Sequence, residues 1–260
     1  MCNWLRTKKG CSVTEGESLE NVITMLRNMD VWRGLHSRIE ERFLWNAGRA
    51  LSSGTVVEIG SLEGYSTIIL AKALGRAGEV YAIDPHAGLA LQADESFEGV
   101  SPSQESTWPK KDTWSRFIEN IGSAGVSDVV KPMKMKSEDA ARGWTKKIQL
   151  LFIDGSHRYE DVRKDFLLWR PHLAPGALLI FHDCWISGVY RVIRQYVLQD
   201  TSLGNFGFRL PNMFYVRVQS GETTFQRHVW RLVFGLATLQ PRLTSITARV
   251  FKRFVRTIGA

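Results

Sequence analysis

Four stretches of this 260-residue chain hold side chains whose types and spacing could do chemistry. The first is Glu58-Ile59-Gly60-Ser61-Leu62-Glu63-Gly64-Tyr65-Ser66, and the second is Asp84, 24 positions after Gly60. The others are Asp154-Gly155-Ser156-His157 and His182-Asp183. Gly60 lets the chain turn sharply and lets a ligand approach the backbone. Gly64 opens a helix, whose free N–H groups attract an anion such as a carboxylate or phosphate. An acid at Asp84 is placed to accept hydrogen bonds from a ribose diol. Asp154 and Asp183, if they meet in one crevice, repel each other unless a cation or a proton intervenes.

The glycine pattern separates two adenosyl cofactors. Dinucleotide sites use G-x-G-x-x-G, which brings backbone against a pyrophosphate. Here the second glycine is absent, because Ser61, Leu62 and Glu63 follow Gly60. Glu63 would also repel a pyrophosphate, whereas S-adenosylmethionine (SAM) has no phosphate and carries an ammonium that an acid can receive.

These residues need a frame that gathers them. Thr55–Gly60, Glu79–Asp84, Val129–Met135, Ile148–Asp154 and Ala177–Phe181 read as strands. The helices between them are Tyr65–Leu74, about Thr113–Ala124, a short one in Glu138–Trp144, and Tyr159–Trp169; Val189–Leu198 follows the fifth strand. Such alternation predicts a doubly wound, mostly parallel α/β sheet with helices on both faces. Each chemical residue then falls at a strand's carboxyl end, where such sheets bind ligands. Pro175-Gly176 reads as a turn, and Gly207–Leu210 with Met213–Val218 as a closing antiparallel pair. Residues 15–50 read as an N-terminal helical cover, and 86–110 as a long polar loop or lid.

The order Glu58-Ile59-Gly60-x-x-x-Gly64 then Asp84 resembles motifs I and II of class I SAM-dependent methyltransferases. The later run is similar to one small-molecule O-methyltransferase branch, with its I-D-G-x-H-x-Y, L-x-P-G and H-D signature. Here it reads Ile153-Asp154-Gly155-Ser156-His157-Arg158-Tyr159, Asp165, Leu173, Pro175-Gly176 and His182-Asp183. The resemblance covers about half the chain; Ala177 stands where the family often has a second glycine. It implies a Rossmann-like fold, with SAM contacted by Glu58, Gly60, Ser61, Gly64, Tyr65, Ser66, Asp84, Ser137, Glu138 and Asp154. It also implies a divalent metal, Mg or Mn, on Asp154 and Asp183, with His182 either a third ligand or a hydrogen-bond donor that fixes one of the acids. His182 departs from the Asp-Asn, Asp-Asp or Glu-Asp of metal-dependent relatives, and imidazole suits Zn, Fe, Mn or Ni better than Mg. Asp154, His157 and His182 are the candidate catalytic residues, with His157 as a base toward an acceptor hydroxyl. The bland alternatives are acids bound to helix N–H groups, a loop histidine at 157 and a helix cap at Ser137. Asp161 and Asp165 read as a solvated face, and Trp114, Trp144 and Trp169 as core.

Composition bounds the rest. Net charge is +8, but residues 222–260 hold seven Lys and Arg against one acid, so the body is nearly neutral. That argues against a nucleic-acid groove, and no N/D-P-P-Y/W motif of base amino-methyltransferases follows the fourth strand. The tail has Leu243, Ile246, Val250, Phe254 and Ile258 on one helical face. A basic amphipathic helix can lie on an anionic membrane, dock onto a partner subunit in a homo-oligomer, or pack on its own domain. Three scattered cysteines fit a reducing cytoplasm. The expected organisation is 1–50 as cover, 51–220 as SAM-binding domain and 221–260 as basic tail. A small-molecule hydroxyl is the expected acceptor; methylation of nitrogen or of a macromolecule, a non-catalytic adaptor, and NAD-linked oxidoreduction are the alternatives.

Overall fold

Apolar spacing and polar caps set the two helices of the cover. Helix α1 (Leu19–Asn28) buries Leu19, Val22, Ile23 and Leu26, and the Ser18 hydroxyl accepts the Asn21 N–H at its start. Helix α2 (Arg38–Arg49) starts with a capping box: Glu40 N–H donates to Ser37, and Ser37 N–H donates to Glu40. These contacts come from a computed structural model, which describes residues 17–34, 36–88, 113–219 and 229. The described core lies in the compact unit Gly16–Glu222. The basic tail and most of the expected lid lie outside the described residues. Among the described residues no helix is long and apolar enough to cross a membrane.

The sheet strands are β1 (Gly54–Ile59), β2 (Gly78–Asp84), β3 (Val130–Lys134), β4 (Ile148–Ile153), β5 (Leu173–Phe181), β6 (Leu203–Arg209) and β7 (Met213–Val218). Their order is β3-β2-β1-β4-β5-β7-β6. The first five run parallel, and β7 is antiparallel to both β5 and β6. This is the expected doubly wound sheet with a closing antiparallel strand. Strand order reverses between β1 and β4, so a crevice opens at their carboxyl ends. Central strands buried on both faces must be apolar throughout; Leu150, Leu151 and Phe152 of β4 have no exposed surface.

Helices α3 (Tyr65–Leu74), α4 (Trp114–Ser123), α5 (Ser137–Ala141), α6 (Tyr159–Trp169) and α7 (Ser187–Val192) connect the strands. Eight of ten α3 residues are buried, because the cover packs on its outer side. At Gly48 of α2 a Cβ would stand 2.8 Å from that of Ala73, so glycine permits the close α2–α3 crossing.

Three boundaries differ from the sequence reading. Pro175-Gly176 lies inside β5, where the ladder jumps from Ile148–Leu173 to Leu150–Leu178; the expected turn is a bulge, with Gly176 at φ +77°. Strand β6 begins at Leu203, because pairing with β7 extends past the Gly207 region through a second irregularity. The helix expected at Val189–Leu198 starts at Ser187 and passes into a π-turn over Ile193–Val197.

A buried acid sits inside this frame. Glu58 on β1 has no exposed surface, and the hydroxyls of Ser66 and Thr67 at the start of α3 donate to it. Burial raises its pKa from the ordinary 4.5 to about 8, against the pull of those two hydroxyls. A raised folded-state pKa gives stability that is complete below the unfolded value and lost as pH rises through the folded one. The unfolding midpoint is therefore expected to fall between about pH 4.5 and 8 and to level off above that. Glu58→Gln, neutral and still hydrogen-bonding, is expected to flatten that fall. Thermal melts across the range check this, and parallel profiles for the two proteins would refute it.

Candidate functional site

A cavity of about 450 Å³ opens at the carboxyl ends of the parallel strands, a size that suits a small organic ligand. Gly60, Ser61, Tyr65, Ser66, Asp84, Ser137, Glu138, Asp154, His157, His182 and Asp183 all line it. Glu58 and Gly64 do not, and both have a place in the frame. Glu58 ties β1 to α3 from within the core. Gly64 caps α3 at φ +92°, and a Cβ there would meet the Phe117 ring at 3.2 Å. The sharp turn expected at Gly60 is present, at φ +94°. A Cβ on it would stand 2.2 Å from the Asp154 carbonyl oxygen, so what approaches its backbone is the end of β4.

On the β2 side, Asp84 accepts the Leu62 N–H at 2.9 Å and the His86 N–H at 2.6 Å, one on each carboxylate oxygen. Each oxygen retains a lone pair for a further donor. Glu63 accepts the Trp32 N–H at 3.3 Å, joining the cover to the β1–α3 turn. The Ser61 hydroxyl is buried with no hydrogen-bond partner among the described residues, a polar atom left for a ligand. Ser137 is the first residue of α5, not its cap, and its oxygen accepts the Trp169 indole N–H at 2.7 Å. Asp165, expected on a solvated face, is buried beside it. Burial raises the Asp165 pKa to about 7, opposed by the Ser137 hydroxyl. Trp169 is fully buried, as its spacing suggested.

At the ends of β4 and β5 the acids converge. Asp154, His182 and Asp183 each offer one ligand atom, all within 4.8 Å of one another. His182 Nδ1 lies 3.1 Å from Asp154 Oδ1 and 3.0 Å from Asp183 Oδ2. His157 Nε2 lies 3.2 Å from that same Asp183 oxygen. Burial disfavours a charged His182, but the two carboxylates outweigh it and raise its pKa well above the ordinary value. Burial alone would raise Asp183; the His182 and His157 rings instead hold it far below the usual carboxylate range. A proton on His182 balances the acid pair in one state. In another, Nδ1 is deprotonated and joins both carboxylates as donors for a cation. The site thus has the donor chemistry of a divalent metal centre.

Sequence reasoning missed the residues that the cover contributes. His36 Nε2 lies 3.4 Å from Asp154 Oδ2, and its ring stacks on His182 with centroids 4.5 Å apart. Glu40, fully buried, accepts the Asn212 N–H at 2.8 Å and stands 3.8 Å from His182 Nε2. Its neighbour Glu41, also fully buried, accepts from Arg33 at 2.7 Å, Arg38 at 3.2 Å and the Tyr65 hydroxyl at 2.8 Å. The available signal was Ser37-x-x-Glu40, which marks a helix start but says nothing of what lies behind it.

Residues 57–184 match a family model described as a methyltransferase domain. An uncharacterized protein of Sinorhizobium fredii, y4gI, is 28% identical over 142 residues, 52% of this chain and 13% of that protein. The matched region therefore spans only a small part of that curated relative's length. Among solved structures, an O-methyltransferase from Bacillus cereus in complex with SAH superposes with a TM-score of 0.55 at 18% identity. The alignment covers 80% of this chain and 94% of that one. TomG of Streptomyces achromogenes, an O-methyltransferase of tomaymycin synthesis in complex with SAM, gives 0.52 at 18% identity, covering 81% and 92%. At such identities the likeness establishes a common fold.

Proposed function

We propose that this chain, whose residues 57–184 match a methyltransferase-domain model, transfers a methyl group from SAM to a hydroxyl oxygen of a small molecule. The observation that carries this reading is the meeting of Asp154, His182 and Asp183 on one wall of the cavity that the β1–α3 turn also lines. The orphaned Ser61 hydroxyl, Asp84 and the Ser137-Glu138 pair suit an adenosyl ligand with an amino-acid end. The described helices Leu19–Asn28 and Arg38–Arg49 act as a cover of the SAM-binding domain, and the basic segment 221–260 is read as a tail for a membrane surface or a second subunit.

When bound, SAM supplies the electrophilic methyl carbon, and a divalent cation on Asp154, Asp183 and His182 would lower the pKa of the acceptor hydroxyl. Asp84 holds the β1–α3 turn in place through the Leu62 N–H. Trp32, Arg33 and His36 of the cover line the cavity. His157, paired with Asp183 at 3.2 Å, would take the acceptor hydroxyl's proton while the methyl carbon leaves the sulfonium sulfur, which departs as the neutral thioether. Positioning of nucleophile and methyl supplies much of the rate.

The test joins calorimetry to turnover. SAM is expected to bind and NAD is not. Labelled methyl is expected to pass to members of a hydroxylated-acceptor panel and to be lost on adding EDTA. Absence of SAM binding overturns the function. EDTA-resistant transfer overturns the metal and leaves the methyl transfer standing.

A further inference from the structure

The proposed chemistry leaves one buried acid of the cavity unused. Asp165 on α6 is only 7% exposed, and it lines the cavity together with Ser137 and Glu138 of α5. The Trp169 indole N–H, which can only donate, gives its proton to the Ser137 oxygen at 2.7 Å. The Ser137 hydroxyl has one proton of its own, and it goes to Asp165. The relay runs from Trp169 through Ser137 to Asp165, so its donors are spent inside the protein. What this wall keeps for the cavity is lone pairs, on Ser137 and on the Asp165 carboxylate. The neighbouring cation, Lys164, pairs with Glu138 at 3.8 Å. Burial, with the charges of Asp161 and Glu138 close by, disfavours a bare carboxylate at this place. A hydrogen-bond donor from a ligand would relieve that cost.

We propose that Asp165, aimed by Ser137 and Trp169, is the residue that selects the adenine base of the methyl donor, by accepting an N–H of its exocyclic amine. This rests on the SAM reading above and assigns the base-reading residue within it. The position agrees with the order of the sheet edge. Asp154, His182 and Asp183 gather at the ends of β4 and β5, where methyl must meet acceptor. Asp84 ends β2 and Ser137 follows β3, farther along the same edge. A ligand whose sulfonium faces the acid centre and whose ribose meets Asp84 carries its base toward α5. An adenine presents an amine to the Asp165 wall, whereas a 6-oxo purine presents an oxygen. Lone pairs would then face lone pairs, so the wall that holds adenine rejects hypoxanthine.

Calorimetry of the full chain with S-adenosylhomocysteine and with its deaminated analogue, S-inosylhomocysteine, tests this. The wild type is expected to bind the adenosyl compound at least about 100-fold more tightly. Asp165→Asn, whose amide can donate as well as accept, is expected to weaken the adenosyl compound by at least about tenfold and to bring the two ligands within about tenfold of each other. Ser137→Ala removes the hydroxyl that aims Asp165 and should narrow the preference in the same direction. It carries the test if a thermal melt shows that Asp165→Asn does not fold. A wild type that binds the two ligands within about tenfold of each other overturns the proposal. So does an unchanged preference in folded Asp165→Asn, or in Ser137→Ala where that protein must stand in. An equal loss for both ligands is such a result, because Asp165 would then only brace α5 against α6. Failure of the wild type to bind S-adenosylhomocysteine at all overturns the methyl-donor reading itself, an outcome distinct from a missing preference.

Discussion

Asp183→Asn is expected to lower methyl transfer by at least about a thousandfold while SAM affinity stays within about threefold. A metal centre contributes several kcal/mol to the stabilisation of the transition state, and each 1.4 kcal/mol is about tenfold in rate. The substitution removes one carboxylate of the centre and the partner of His157 at 3.2 Å, so the proposed cation site and the proposed base are altered together. The backbone should not object: Asp183 sits at φ +47°, a conformation that asparagine adopts more readily than most residues. The proposed SAM-facing residues Ser61, Asp84, Ser137 and Glu138 come from other strand ends. Asp154 is a less clean target, because it faces His36 as well as His182. Calorimetry with SAM, a thermal melt and single-turnover transfer read the three quantities separately. Near-normal transfer by a folded Asp183→Asn protein would remove Asp183 from the chemistry.

Much of this architecture was legible because local and long-range preferences agree. Helices Tyr65–Leu74 and Tyr159–Trp169 fall at the expected residues, since each has a sharp start after a strand-end turn and apolar residues that only a helix gathers. Strand β4 was readable as an apolar run bounded by Lys146-Lys147 and Asp154. The acids at strand ends were readable because a parallel sheet sends all its carboxyl ends to one edge. The rest depends on distant packing. Asp165 looks like a surface acid on α6, and only the packing of α5 and Trp169 beside it buries it. His36 and Glu40 carry no local pattern of a site, because they meet Asp154 and His182 more than a hundred residues away in sequence. Gly60 was recognised as necessary, but the reason lies in β4, which the motif itself does not contain.

That reason yields the largest expected effect on stability. Gly60→Ala is expected to lower the unfolding midpoint by about 10 °C, from a destabilisation of at least about 3 kcal/mol. Two costs combine. At φ +94° an alanine is strained, worth about 1–2 kcal/mol. Its Cβ would also stand 2.2 Å from the Asp154 carbonyl oxygen and 2.7 Å from Gly155 Cα, backbone atoms that cannot rotate away. Nor can the strand ends slide apart freely. Gly60 N–H donates to Ile83 at 2.8 Å, and Asp154 N–H donates to Ile59 at 2.8 Å, continuing both ladders past the strands. Gly75→Ala provides the control: φ is +61° and nothing lies within 4 Å of its added Cβ. It should show the strain alone and lose about 2–8 °C. If Gly60 instead served close approach of the cofactor, Gly60→Ala would melt like Gly75→Ala and lose only SAM binding. A clear excess of destabilisation at Gly60, with Asp154 displaced and transfer lost alongside, would identify it as the glycine that lets the first and fourth strands bring their two sets of functional groups to one cavity.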